Sequence, residues 1–552
     1  MCLHFATLLL VNLPVQPYFL LSISRRARCV VCLQSTASTG FWASHTQRHP
    51  QVITCNRAVA CRTQRSFAVP GELRWNPPMP PAAWNGTRDA VEYSNSCMQH
   101  PGPWLILSKP SEDCLYLNVW RPRKAKKLAA MIFFYGGSFE EGSAMFPLYS
   151  GEPAAGLADN TVFIACNYRL NVFGFLGGDG LRGSDNSTGN FGIADQRAAM
   201  RWVNENADAL GIDVEQIMIF GESAGSASVS NHLVQKASWP YYTRAAMESG
   251  PPAADWIAMT MANANQNLKT VAAHLGCSDT AASLRSCLMT KNTTELFEAG
   301  RHLASHQLVT WAPVIDGVSL TAHPHELVQS GQIHHVPVLL GTNRDEGTTF
   351  TSIGLEENQT GFNEWVGREF GSLPGVNASV RDQIIQHYPC SEFVASKYGS
   401  ACYNASSQAV GDYAMTCPAR RAARWLSAPG GSPGVFLYYF RKELSLVPAI
   451  EWEQKKPMGV FHGSELALVF DFKPLLLTKE ERALSVQTVS YWTTFAATGN
   501  PGTGATPHGN AGMQWPAYNA TTDSVLAIDI PVAVEVGLKR ERCDFWDAVG
   551  SL

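Results

Sequence analysis

From Phe67 onward, short apolar runs alternate with longer amphipathic segments, and this alternation limits what the chain can fold into more than any other feature. The runs at 131–135, 162–166, 217–220, 336–340 and 435–440 are too short for helices, rich in branched and aromatic residues, and apolar at consecutive positions. A strand with one wet face alternates in polarity, whereas one that is apolar throughout has both faces covered. Between the runs lie helical segments such as "DQRAAMRWVNENADAL". Buried strands separated by helices predict an α/β class, with a large, mostly parallel central sheet flanked by helices. In such sheets the chemistry sits at the carboxyl ends of the strands. The 552 residues, 45% of them hydrophobic, suffice for a large core. No internal repeat or linker breaks the pattern, and "SAPGGSPG" at 427–434 reads as a surface loop. The organisation expected is a leader over 1–66 and a single domain over 67–552.

One run ends in an unusual way. Residues 217–229 read "IMIFGESAGSASV", so a strand enters Gly221-Glu222-Ser223-Ala224-Gly225 and leaves as a helix rich in small residues. G-x-S-x-G between a strand and a helix exposes the serine hydroxyl on a sharp turn, and its glycines permit strained dihedrals and close packing. A helix N-cap serine is the plainer alternative, but a cap does not need glycine on both sides. Ser223 therefore reads as a nucleophile. Serine is a weak one and needs a base, which an acid must orient; in this kind of turn the order along the chain is Ser, acid, His. "VPVLLGTNRDEGTTF" offers Asp345 and Glu346, and spacing does not choose between them. Three histidines follow. His387 lies in an amphipathic segment and His508 in a Gly/Pro/Thr-rich loop, while His462 in "GVFHGSELALVF" precedes a glycine and a helix start, as suits a base on a short loop. "AAMIFFYGGSF" runs a strand into Gly136 and Gly137, where backbone N–H groups can face an oxyanion.

Composition removes other classes of function. A net charge of −4 with no basic stripe argues against a nucleic-acid partner. His323 and His325 in "AHPHEL" read as a solvated turn, no His/Cys ligand spacing suggests zinc, and neither metal nor organic cofactor is expected. Fourteen cysteines and seven N-x-S/T sequons, at Asn85, Asn186, Asn292, Asn358, Asn377, Asn404 and Asn519, fit a glycosylated, secreted product. The first 71 residues hold seven arginines and no acid, with an apolar run from Phe5 to Ile23 interrupted by Pro14 and Pro17. This leader reads as a signal or signal anchor, a transit peptide or a non-native start, and the prolines argue against a spanning helix.

The chain strongly resembles the type-B carboxylesterase and cholinesterase family of α/β-hydrolases from about Gly71 to Trp546. The resemblance rests on "GELRWNPPMPPAAWNGTRDA", "SEDCLYLNVW", "NYRLNVFGFL", "GNFGIADQRAAMRWV", "FGESAGS", "APVIDG", "GTNRDEGTTF", "FHGSE", "FAATGNP", "MQWPAYN" and "CDFWD", in that order. It implies Ser223 as nucleophile, Glu346 as triad acid and His462 as base, with oxyanion N–H groups from Gly137, Ser138 and Ala224. It also implies disulfides Cys97–Cys114, Cys277–Cys287 and Cys417–Cys543, with Cys390 and Cys402 as an additional pair. Ion pairs would join Arg74 to Glu112 and Arg169 to Asp195.

The chain departs from the family at several places. Ser138 stands where the family has a third glycine, the loop between Cys97 and Cys114 is short, "GIDV" replaces "GGDP" before the elbow strand, and the family's first strands have no counterpart before Gly71. For the substrate pocket the resemblance implies Trp104, Glu222, Val309 and Thr349. Trp104 matches the position of the choline-binding tryptophan of cholinesterases and Glu222 precedes the nucleophile as in that group, an indole face and a carboxylate being attractive to a quaternary ammonium. Thr349 and Val309 replace aromatic residues, which favours a general esterase. The implied reaction is hydrolysis of a small-molecule or lipid carboxylic ester through an acyl-enzyme. Cholinesterase-like or lipase-like specificity and a non-catalytic adhesion module are the alternatives.

Overall fold

The computed structural model describes residues 30–31 and 73–549, apart from 81–85, 87, 123–125, 278–280, 305–309, 353–357, 374 and 505–511. Most of the leader, Asn85, Val309 and His508 thus lie outside the described residues. Nine strands form the central sheet: β1 (Leu117–Trp120), β2 (Leu128–Phe134), β3 (Thr161–Cys166), β4 (Ile212–Glu222), β5 (Arg244–Glu248), β6 (Val338–Asn343), β7 (Val435–Phe440), β8 (Ser524–Ile528) and β9 (Ala533–Val536). Their order is β9-β8-β7-β6-β5-β4-β2-β3-β1. Only the outer pairs, β1 with β3 and β8 with β9, are antiparallel. The other neighbours run parallel.

All seven residues of β2 are buried. The two-residue period of the strand sends Ala129, Met131 and Phe133 into one apolar cluster and Leu128, Ala130, Ile132 and Phe134 into another on the opposite face. The helices that matter to this layering are α1 (Phe191–Glu205), α2 (Ala224–Val234), α3 (Gln359–Glu369), α4 (Ala378–His387), α5 (Ala401–Gly411), α6 (Cys417–Leu426), α7 (Val447–Gln454), α8 (Lys479–Thr498) and α9 (Arg540–Val549). α8 covers the first cluster with Leu484, Val489, Trp492 and Phe495. Its start is fixed by a capping box in which Thr478 and Glu481 satisfy each other's backbone N–H groups. α2 and α6 cover the second with Val229, Leu233, Ala419, Ala422 and Leu426. A third cluster joins α3, α4, α5 and α9 around Trp365, Ile384, Tyr388 and Trp546.

The five strand runs read from the sequence are all strands, and "DQRAAMRWVNENADAL" is α1 followed by the short helix Ala207–Leu210. The three disulfides implied by resemblance and the additional Cys390–Cys402 bridge are formed. Both ion pairs are present, with Arg74 Nε 2.8 Å from Glu112 and Arg169 Nε 2.8 Å from Asp195. One reading needs correction. His323 is not in an open solvated turn: it caps the helix Pro324–Gln329, accepting from the N–H of His325, and its Nε2 lies 3.1 Å from the Asp255 carbonyl. A helix start with orphan N–H groups gives that side chain a structural use. Among the described residues no group of His, Cys, Asp and Glu is arranged to hold a metal, and no helix is long and apolar enough to cross a membrane.

The carboxyl ends of β2, β4, β5, β6 and β7 lie on one side of the sheet. Gly136, Ser223, Ser249, Glu346 and the 441–450 segment follow these strands closely, so distant parts of the chain meet there.

Candidate active site

Ser223 stands between β4 and α2 with φ 56° and ψ −125°, a strained conformation for a residue with a side chain. It occupies the N-cap position of α2, yet its hydroxyl makes no capping hydrogen bond. The plain reading of this serine as a helix cap therefore fails. What holds the turn is close packing on either side: a Cβ on Gly225 would lie 1.8 Å from the Phe134 carbonyl oxygen, and one on Gly221 would lie 2.5 Å from the Gly225 backbone. The Ser223 N–H donates to the Glu248 carbonyl at 2.8 Å, tying the elbow to β5.

His462 lies on the segment between α7 and α8. Its Nδ1 is 2.5 Å from Glu346 Oε2. The other carboxylate oxygen of Glu346 accepts from Asn343 N at 2.7 Å and from Ser249 Oγ at 2.5 Å. Three donors thus fix a fully buried carboxylate. Asp345, the other acid of the turn, faces elsewhere: it pairs with Arg344 and accepts from Val460 N at 2.7 Å. Asn343 also donates to the Phe461 carbonyl at 2.8 Å, so the β6 end that places Glu346 holds the histidine segment as well.

The Nε2 of His462 lies 3.1 Å from Glu222 Oε1, and neither atom has a hydrogen-bond partner. Burial disfavours the imidazolium, but the anions Glu222 and Glu346 outweigh it and push His462 up to about 9. Burial pushes Glu222 up to about 7; His462 works against this and Glu346 adds to it.

Gly137, Ser138 and Phe139 all have positive φ. This run turns the chain after β2 against the elbow, where a Cβ on Gly136 would lie 2.8 Å from that of Ser223. Among the described residues no group accepts from the N–H of Gly137 or Ser138. Ala224 is the first residue of α2, where backbone N–H groups are unused by the helix.

A cavity of about 140 Å³ brings most of the expected residues together. Ser223, His462, Glu222, Gly137, Ser138, Trp104 and Thr349 all line it. Trp104 packs edge-on to Phe146 at 4.7 Å and stacks on Tyr149. Sequence reasoning missed three parts of the site. Phe350, one residue beyond the position searched for an aromatic, lines the cavity and meets the His462 ring edge-to-face at 4.9 Å. Ser249 secures Glu346. Leu444, Leu446, Val447 and Ile450 form an apolar wall after β7; the only signal for it was an unassigned apolar stretch ahead of "GVFHGSE".

The Carboxylesterase family model matches residues 66–546. The chain is 32% identical over 509 residues to a cholinesterase of Mus musculus, covering 86% of this chain and 80% of that protein. It is 31% identical over 536 residues to an acetylcholinesterase of Danio rerio, covering 86% of this chain and 82% of that protein.

Proposed function

The chain belongs to the carboxylesterase family and is a serine carboxylic ester hydrolase, and from that premise we propose that Ser223, His462 and Glu346 are its nucleophile, base and orienting acid. The observation that carries this is the Glu346–His462 hydrogen bond beside a strained Ser223 that lines the same cavity. His462 Nε2 takes the proton of Ser223 as Oγ attacks the ester carbonyl, and N–H groups of Gly137, Ser138 and Ala224 receive the oxyanion. The C–O bond of the ester breaks, and His462 returns the proton to the departing alcohol. Water attacks the acyl-enzyme, His462 accepts its proton, and collapse frees the acid and restores Ser223.

The preferred substrate is an ester with an uncharged aliphatic or aromatic group. Leu444, Leu446, Val447, Ile450 and Leu475 present no polar side chain, and an apolar cavity of roughly 150 Å³ takes a benzene-sized group. A choline ester is the second reading, supported by Trp104 and Glu222 in the same lining and by the names of the two relatives. The four disulfides support a secreted, single hydrolase domain over 67–552. Of the sequons, Asn186, Asn292, Asn358, Asn377 and Asn519 are exposed; Asn404 is half-buried, and its amide donates to the Val394 carbonyl.

Hydrolysis of short p-nitrophenyl esters and labelling by a fluorophosphonate test the assignment. Wild type is expected to do both and Ser223→Ala neither. A folded Ser223→Ala that still hydrolyses the esters overturns it. Acetate esters of choline and of an uncharged alcohol of equal size, compared by kcat/KM, separate the two substrate readings.

A further inference from the structure

Beside Glu222, which faces the histidine, lies another buried carboxylate that the reaction above does not use. Glu248 ends β5, and its Cα is the in-register partner of Glu222 at the end of β4. Side chains at matched positions of neighbouring parallel strands lie on the same face about 4.8 Å apart, so the two carboxyl groups are side by side. Glu248 is fully buried and Glu222 nearly so. Glu248 Oε1 accepts from Trp492 Nε1 of α8 at 2.6 Å, but Oε2 has no hydrogen-bond partner. Glu222 Oε1, which faces His462, has none either. Two adjacent carboxylates, each with an unsatisfied buried oxygen, cannot both ionise cheaply; such pairs retain a proton.

We propose that Glu248 is a positioning residue for the esterase: it holds the proton of the Glu222–Glu248 pair near neutrality, so that one negative charge rather than two stands behind His462. The proposal rests on the triad reading given above. Among the described residues, the other charged or titratable groups that act on this cluster are Glu346, Glu465, Tyr149, Tyr168 and Tyr438. Burial pushes Glu248 up to about 8; the Trp492 hydrogen bond works against this and Glu222 adds to it. The consequence for catalysis follows from charge alone. When Glu248 loses its proton, a second buried anion favours the imidazolium, which is the wrong form for a base. Glu248 thereby couples the availability of His462 to a strand that does not line the cavity, while its own backbone carbonyl holds the Ser223 N–H.

The test is the pH dependence of kcat/KM on a short p-nitrophenyl ester for wild type, Glu248→Gln and Trp492→Phe. Gln fixes the neutral form and keeps an acceptor for Trp492. Wild-type Glu248, pushed up to about 8, ionises just below His462, pushed up to about 9, so with Gln the acid limb is expected to move to lower pH by about half a unit or more, with the plateau held within about threefold. Trp492→Phe removes the donor that favours the Glu248 anion, so its limb moves the same way by less, and it serves if Glu248→Gln does not fold. A purely structural role changes the plateau and leaves the limb where it was. With Ser223-dependent labelling intact, limbs that coincide in all three proteins overturn the role of Glu248 alone. Hydrolysis that survives Ser223→Ala overturns the triad and this proposal with it.

Discussion

At the scale of single residues, the site is set by which atoms lack a partner and which have too many neighbours. Glu222 Oε1 faces His462 Nε2 without a hydrogen bond, so its influence is that of a charge. Replacing it by Gln removes an anion that favours the imidazolium. The acid limb of the kcat/KM profile, expected in wild type above the ordinary histidine value near 6.5, then falls to lower pH; a limb that stays put would contradict the assignment. Gly225 is limited by space. A methyl there meets the Phe134 carbonyl, so Gly225→Ala is expected to cost about 3 kcal/mol or more and to abolish fluorophosphonate labelling, as thermal unfolding and gel labelling would reveal. That Ser223 and His462 would come together in one cavity was legible because a serine on a sharp turn asks for a histidine downstream. The choice between Asp345 and Glu346 was not, since both occupy one turn; Arg344 and Val460 engage the first and leave the second to His462. Phe350 escaped because a one-residue offset is invisible without the backbone path of the turn that follows Glu346.

At the scale of elements, strands buried on both faces announce themselves, and strands with polar ends do not. β2 and β7 are apolar throughout and β3 is apolar after Thr161; β7 was read to both ends, β3 all but Thr161, and β2 from its fourth residue. β4 begins at Ile212, five residues before the apolar run, because Asp213, Val214 and Glu215 lie on a wetter stretch of the strand. β5 begins with Arg244 and ends with Glu248, so its polarity hid it, although its middle is buried between β4 and β6. α7 shows the converse. Val447 and Ile450 face the cavity while Trp452 is exposed and stacks with Lys455, so one short helix presents an apolar side to the site and a wet one to solvent. Filling the inner side should act as a chain-length stop. Ile450→Trp is expected to leave p-nitrophenyl acetate hydrolysis within about threefold while cutting octanoate hydrolysis by about tenfold or more, the scale on which hydrophobic pockets discriminate. Trp452→Ala, on the outer side, is expected to leave the acyl-chain profile unchanged. An equal loss across chain lengths in Ile450→Trp would instead mean that α7 does not border the acyl or alcohol group.

At the scale of the whole molecule, two long-range constraints bear on stability. The Cys417–Cys543 bridge spans 126 residues and fastens α9 to the start of α6 beside the third apolar cluster. Closing so long a loop restricts the unfolded chain, so replacing both cysteines by Ala is expected to cost about 2–5 kcal/mol and to raise hydrogen exchange in α9 before it affects the sheet. The second constraint is electrical. Glu222, Glu248 and His462 are all pushed above their ordinary values by the fold, the two acids chiefly through burial and the histidine through the net effect of its anionic neighbours. Each acid keeps in the folded state a proton that the unfolded chain releases near pH 4.5, and His462 keeps one that the unfolded chain releases near 6.5. Between those values and about pH 7, 8 and 9 respectively, the native state binds more protons than the unfolded state. The slope of stability against pH is then negative. These groups therefore contribute most below the unfolded values and lose that contribution as pH rises through the folded ones. Glu248→Gln deletes one of these protons, so its Tm should fall less steeply between pH 6 and 9 than that of wild type. Parallel Tm curves would mean that Glu248 is already ionised at neutral pH, and that a fold placing two carboxylates side by side behind its histidine has found another way to carry both charges.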